Sequence, residues 1–240
     1  MAPITPTLPE SFFSSVLNAK DTATKVRWYM CVIVNLSSLN YADVIPQVYS
    51  HLEANLLAGL SHDDQFKAVQ QIQEGLVKSL GIAGAARTGN GLRVFAKCTP
   101  GGLLVKESLR LQETEATAIR RGKKFFSRVY DKNPLFKPEV TARASPDYWF
   151  IVKDIIYGRL FSFDAILDDL TSAYAMVSAL YGMNSPDQLR NHMIGMQLNG
   201  ADKQSLQELQ DLLLGLGDIL GVKFRFDRVP IPDVPSQACS

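Results

Sequence analysis

His192 is the residue in this chain whose surroundings best suit proton transfer. It is one of three histidines in 240 residues. Gln188 lies four positions before it, so on a helix the two side chains project from one face. Ser185 and Pro186 stand where an N-cap and a first helical residue belong, and Asn199-Gly200 suits a left-handed ending. A histidine beside an amide, next to an apolar helical seam, is a candidate general acid or base, with Gln188 orienting the imidazole or a substrate carbonyl. Upstream, Tyr157 and Arg159 close another helical stretch. There Arg159 can hold a substrate carboxylate as a bidentate pair or complement its own helix's C-terminus. The other histidines, His51 and His62, have no ligand-type neighbour at helical spacing, so no metal site is expected. No phosphate-cradling glycine pattern occurs. Gly84 to Gly91 is glycine-rich, but it follows a helix and reads as a helix–helix connection.

The three cysteines, at 31, 98 and 239, are far apart and odd in number. That spacing is neither a disulfide framework nor a metal cluster, and it points to a reducing compartment, by default the cytoplasm. The ending Ala238-Cys239-Ser240 is not a Ser-Lys-Leu signal, and residues 1–10 are too proline-rich and polar for a signal peptide. A net charge of +1 argues against nucleic acid as a partner. The basic run Arg120-Arg121-Gly122-Lys123-Lys124 reads as a solvated helix face. No apolar run reaches the roughly 18 residues that span a bilayer, so no membrane partner is expected.

The elements that must position these residues are helical nearly throughout. Apolar residues recur at helical spacing over 12–17, 28–39, 44–57, 66–80, 119–129, 148–161, 166–180, 189–198 and 206–220. Asp21 or Thr22, Ser61 and Ser145 are cap-like starts. Only 222–226 alternates as a strand would, and it is short. The turn Pro100-Gly101-Gly102 separates an N-terminal half, 1–99, from a C-terminal half, 103–222, with an extended tail over 223–240. The halves show a weak repeat at a constant offset of 144 residues, which aligns Asn40 and Asp43 with Asn184 and Asp187. Each segment reads as an apolar helix, an Asn bend and a second helix. The fold expected is all-α, with two pseudo-repeated helical hairpin halves in one compact unit.

The order of short motifs Arg121-Gly122 to Val129-Tyr130, Ser145-Pro146-Asp147, Tyr157-Gly158-Arg159-Leu160, Gln188-Leu189-Arg190-Asn191-His192 and Gly200-Ala201-Asp202 resembles carboxymuconolactone decarboxylase-like proteins of the alkylhydroperoxidase D-like superfamily. The resemblance covers roughly 120–214, and the N-terminal half looks like the divergent copy of two-copy, fungal-type members. It implies an all-α fold of repeated hairpins in symmetric oligomers. In the superfamily's peroxidase branch a glutamate precedes a Cys-x-x-Cys-x-x-x-His motif. Those positions fall here near Ala173, at Ser185 and Gln188, and at His192, so only the histidine is kept. Tyr174, beside the glutamate position, can replace the carboxylate as a weak acid or belong to the core. Trp28 and Tyr29, on the equivalent helix of the first half, can wall an aromatic pocket or serve as core.

Without the thiol pair, peroxidase chemistry has no nucleophile. Three expectations remain. The first is a cofactor-independent lyase, isomerase or cyclase on a carbonyl-bearing, largely apolar small molecule, suited to secondary metabolism. The second is a non-catalytic binding or assembly relative. The third is a residual thiol role for Cys31 or Cys98. A homo-oligomer is expected, with the apolar run 206–220 wide enough to meet more than one neighbour.

Overall fold

The computed structural model describes residues 5–18, 21–131, 133 and 136–234. Among them the chain is helical without a strand, as the periodicity predicts. In order come α1 (Glu10–Leu17), α2 (Thr22–Leu39), α3 (Ile45–Asn55), α4 (His62–Cys98), α5 (Glu115–Tyr130), α6 (Pro138–Ala144), α7 (Pro146–Phe150), α8 (Asp169–Met183), α9 (Pro186–Leu198) and α10 (Lys203–Ile219). Directly after α7 the chain winds on as an eleven-residue π-helix, Ile151–Phe161. The capping oxygens foreseen at Asp21, Ser61 and Ser145 accept from the third residue on in each helix. Ser185 makes no such bond, and Pro186 at N1 starts α9. No helix among the described residues is long and apolar enough to cross a membrane.

The interior is organised around α2 and α8, each apolar on most of its circumference and buried accordingly. They cross so closely that Asn35 Nδ2 donates to the Ser178 carbonyl at 2.9 Å. Both end on an asparagine in the left-handed region, Asn40 at φ 68° and Asn184 at φ 48°. The closing backbone bonds also match: Tyr41 N to Leu36 O, 2.9 Å, and Ser185 N to Leu180 O, 3.4 Å. The two bends thus share a left-handed asparagine and one pattern of closing backbone bond. One apolar cluster runs from Leu8 to Val229 through both halves.

Three details bear on these expectations. Gly84 alone breaks α4 (φ +78°): two helical segments meet there, so the connection expected over 84–91 is that one residue and helix resumes at Ala85. The alternating stretch 222–226 forms no strand. The apolar face of α10 is used within the chain: Leu206, Leu209, Leu213 and Leu216 are all buried. Large apolar side chains stand exposed elsewhere, at Tyr148, Phe150, Ile151 and Ile155. The tail is strapped down, as its composition suggests. Asn184 accepts from Phe226 N, Gln210 donates to the Val229 carbonyl and Gln197 to that of Pro232, each at 2.8 Å. Residues 235–240 lie outside the described residues.

The π-helix is fastened at its C-terminal end by basic side chains, whose N–H groups meet the exposed carbonyls there. Lys78, fully buried on α4, donates to the carbonyls of Phe161 and Phe163 at 2.6 Å each. Arg110 donates to the Arg159 carbonyl at 3.1 Å. On its inner side the π-helix meets α5 at two glycines. A methyl on Gly122 would sit 2.7 Å from the Gly158 nitrogen and nearer still to its Cα, whereas one on Gly158 meets nothing closer than 3.6 Å. The obstacle is backbone, which cannot rotate aside. Gly122→Ala is therefore expected to destabilise the fold by about 3 kcal/mol, and Gly158→Ala to change it by less than about 1 kcal/mol. Urea unfolding of both variants checks this contrast, and equal losses would contradict it.

Candidate functional site

The close crossing brings Tyr130, the last residue of α5, against Tyr157 on the π-helix. Their hydroxyls are 2.8 Å apart, and the Tyr130 hydroxyl stands 3.5 Å from His192 Nε2 on α9. All three residues are buried. Three elements thus contribute one polar group each to a line inside an aromatic wall. Phe126 lies 4.6 Å and Phe136 4.0 Å from the Tyr130 ring, and Phe161 lies 5.0 Å from the Tyr157 ring, centroid to centroid. A π-helix is rare and concentrates at functional sites, and here it presents Tyr157.

Burial sets the proton chemistry. It pulls the His192 pKa down to about 4, so the imidazole is neutral at pH 7. It pushes Tyr130 up to about 12, and it holds Tyr157 well above the ordinary phenol range. The 2.8 Å pair admits either hydroxyl as donor; with Tyr157 donating to Tyr130, Tyr130 donates toward Nε2 and the imidazole proton sits on Nδ1. The arrangement holds neutral donors and a neutral acceptor in series and suits polarising a carbonyl or passing a proton along the line.

The other residues picked out by sequence lie apart from this line. Gln188 shares the α9 face but sits in the exposed first turn, without a bond to His192. Arg159 is exposed on the π-helix, and only its backbone carbonyl is engaged, by Arg110. Tyr174 is buried under Arg27, whose guanidinium is 4.8 Å from the ring centre, and meets Trp28 edge-on at 6.0 Å. Trp28 also lines a cleft against α10. Tyr29 donates to His51 Nδ1 or accepts from it at 2.7 Å. His51 therefore does have neighbours: it stacks on Phe13 at 3.9 Å and faces Glu10 at 3.6 Å. Those partners come from α1, too far along the chain for spacing to reveal. Cys31 is fully buried, and burial pushes its thiol up to about 12, which disfavours a nucleophilic role. Among the described residues no group of three or more His, Cys, Asp or Glu side chains is placed to hold a metal.

Tyr130 is the member of this line that the sequence pattern did not single out. Its signal was present, since Phe126 and Tyr130 are four apart on α5 and so form one aromatic face. Among the described residues, His192 lines none of four well-formed clefts.

No protein-family model matches this chain, and no solved structure matches it. Two curated proteins are similar to it, and both are named Peroxisomal protein 2. The Schizosaccharomyces pombe protein is 27% identical over 157 residues, which cover 65% of this chain and 73% of that protein. The Saccharomyces cerevisiae protein is 24% identical over 186 residues, which cover 67% of this chain and 65% of that protein. These names overturn the expected cytoplasmic placement. That expectation rested on free cysteines, which tell a reducing compartment from an oxidising one but do not tell cytosol from an organelle.

The depressed His192 pKa makes stability depend on pH. The unfolded chain takes up the proton near 6.5, while the folded chain resists until about 4. The contribution of His192 is thus complete above 6.5 and is lost as pH falls toward 4. Between pH 7 and pH 5 the loss is about 2 kcal/mol. Urea unfolding at the two pH values is expected to show this slope in the wild type and to lack it in His192→Asn. Equal slopes would show that His192 does not titrate abnormally.

Proposed function

We propose that this chain is a cofactor-independent acid–base protein of the carboxymuconolactone decarboxylase-like type, acting on a carbonyl-bearing, largely apolar small molecule in the peroxisome. The observation that carries the reading is the buried line Tyr157–Tyr130–His192. In this reading His192 meets the substrate. Its Nδ1–H hydrogen-bonds to the carbonyl oxygen and polarises it without leaving the ring, water takes the α-proton and returns one to the same carbon, and Tyr130 and Tyr157 hold the tautomer from the Nε2 side. Keeping all three groups neutral suits a desolvated site, where hydrogen-bond donors act without counter-ions. The matching asparagine bends support the two-copy organisation, and the peroxisomal names of the two similar proteins support the compartment. A homo-oligomer fits the exposed apolar side chains Tyr148, Phe150, Ile151 and Ile155 better than it fits α10.

The second reading, a binding or assembly protein that has lost its chemistry, is favoured by the clefts, none of which His192 lines. Proton exchange separates the two. In D2O, the α-protons of 1-indanone, 2-tetralone and 3-benzofuranone are expected to exchange faster with wild type than with buffer. His192→Ala is expected to reduce that excess by about a hundredfold or more, and Tyr130→Phe by a smaller factor. Equal rates for wild type and His192→Ala, with His192→Ala less stable, would establish the structural role instead.

A further inference from the structure

A second, unassigned cleft lies between α4 and the connector that leads from it to α5. Its volume is about 260 Å³. The floor is an ion pair: Glu74, 3% exposed, takes both terminal nitrogens of Arg110, Nη1 at 2.9 Å. Arg110 lies over the Phe163 ring with its guanidinium carbon 4.2 Å from the centre. Val77, Phe163 and Ile166 give apolar walls, and Val105 and Leu109 of the connector close the other side. The floor charges satisfy one another and the other charge in the lining is the Glu107 carboxylate, so an anionic ligand would find no counter-ion and would lose its hydration uncompensated.

One buried side-chain oxygen in the lining has no partner. Gln73 borders the cleft, and its Oε1 is buried without a hydrogen bond. A buried amide oxygen in that state is costly and is normally met by a donor. The terminal amide torsion is soft, so the oxygen turns toward a donor in the cleft at little expense. We propose that this cleft binds an uncharged, largely apolar small molecule carrying one O–H or N–H group, with Gln73 Oε1 as its acceptor. The cleft shares no residue with the Tyr157–Tyr130–His192 line, so the site stands or falls independently of the function proposed above.

The test uses the full chain, methyl-labelled for NMR, with 4-ethylphenol as the donor-bearing probe and 4-ethylanisole as its counterpart without a donor. Both are expected to shift the methyls of Val77, Val105, Leu109 and Ile166, and the phenol is expected to bind roughly tenfold more tightly. Gln73→Met, which keeps the length and removes the acceptor, is expected to abolish that preference while 4-ethylanisole binds as before. Val77→Trp, which fills the cleft, is expected to abolish both, and His192→Ala to change neither. The proposal is overturned if the two probes bind wild type equally, if the preference survives Gln73→Met, or if neither probe shifts the cleft methyls.

Discussion

The contact between Gly122 of α5 and the backbone at Gly158 of the π-helix is the constraint on which the rest of the site depends. With no side chain at Gly122, two helices meet backbone to backbone. That approach sets the Tyr130 and Tyr157 hydroxyls 2.8 Å apart and leaves α9 to bring His192 to the far side of Tyr130. A crossing at ordinary helix spacing, 8–10 Å between axes, would not join two hydroxyls on facing elements so directly. The basic side chains Lys78 and Arg110, with Arg121 bonded to Ser162, secure the other end of the π-helix. The chain thus fixes its rarest element at both its inner face and its C-terminus.

Burial then decides what the site can do. An exposed histidine would change charge near neutrality, and exposed phenols would exchange with water. Enclosed by Phe126, Phe136 and Phe161, the three groups stay neutral over the physiological range. The same enclosure explains why His192 borders none of the four clefts. In the proposed reading a substrate would reach it when α5, α9 or the π-helix yields, and closure of this kind would exclude water from the reacting centre.

The helices were legible in the sequence because their apolar periodicity is strong and their caps are local. Asp21, Ser61 and Ser145 acted as the pattern implied, and the Asn40 and Asn184 bends matched at the expected offset. His192 was found because a histidine is conspicuous beside Gln188, but Gln188 itself faces solvent. Helical spacing gives direction around an axis and does not say how far a turn extends beyond the core. Tyr130 and Tyr157 could not be paired from sequence, since their contact depends on a glycine crossing and on a π-helix that no local pattern announces. His51 with Tyr29 and Glu10, and Glu74 with Arg110, were hidden for the same reason: their partners are distant in the chain. Lys78 was closer to legible, four residues after Glu74 on an apolar helix face.

The central claim is that His192 is a dry, neutral imidazole hydrogen-bonded through Tyr130. Long-range ¹H–¹⁵N NMR of the histidine ring, followed against pH, reads this directly. The account predicts one protonated and one bare ring nitrogen persisting from pH 7 to pH 5, with the Nε2 resonance displaced in Tyr130→Phe. A titration midpoint near 6.5, or an Nε2 signal indifferent to Tyr130, would contradict it.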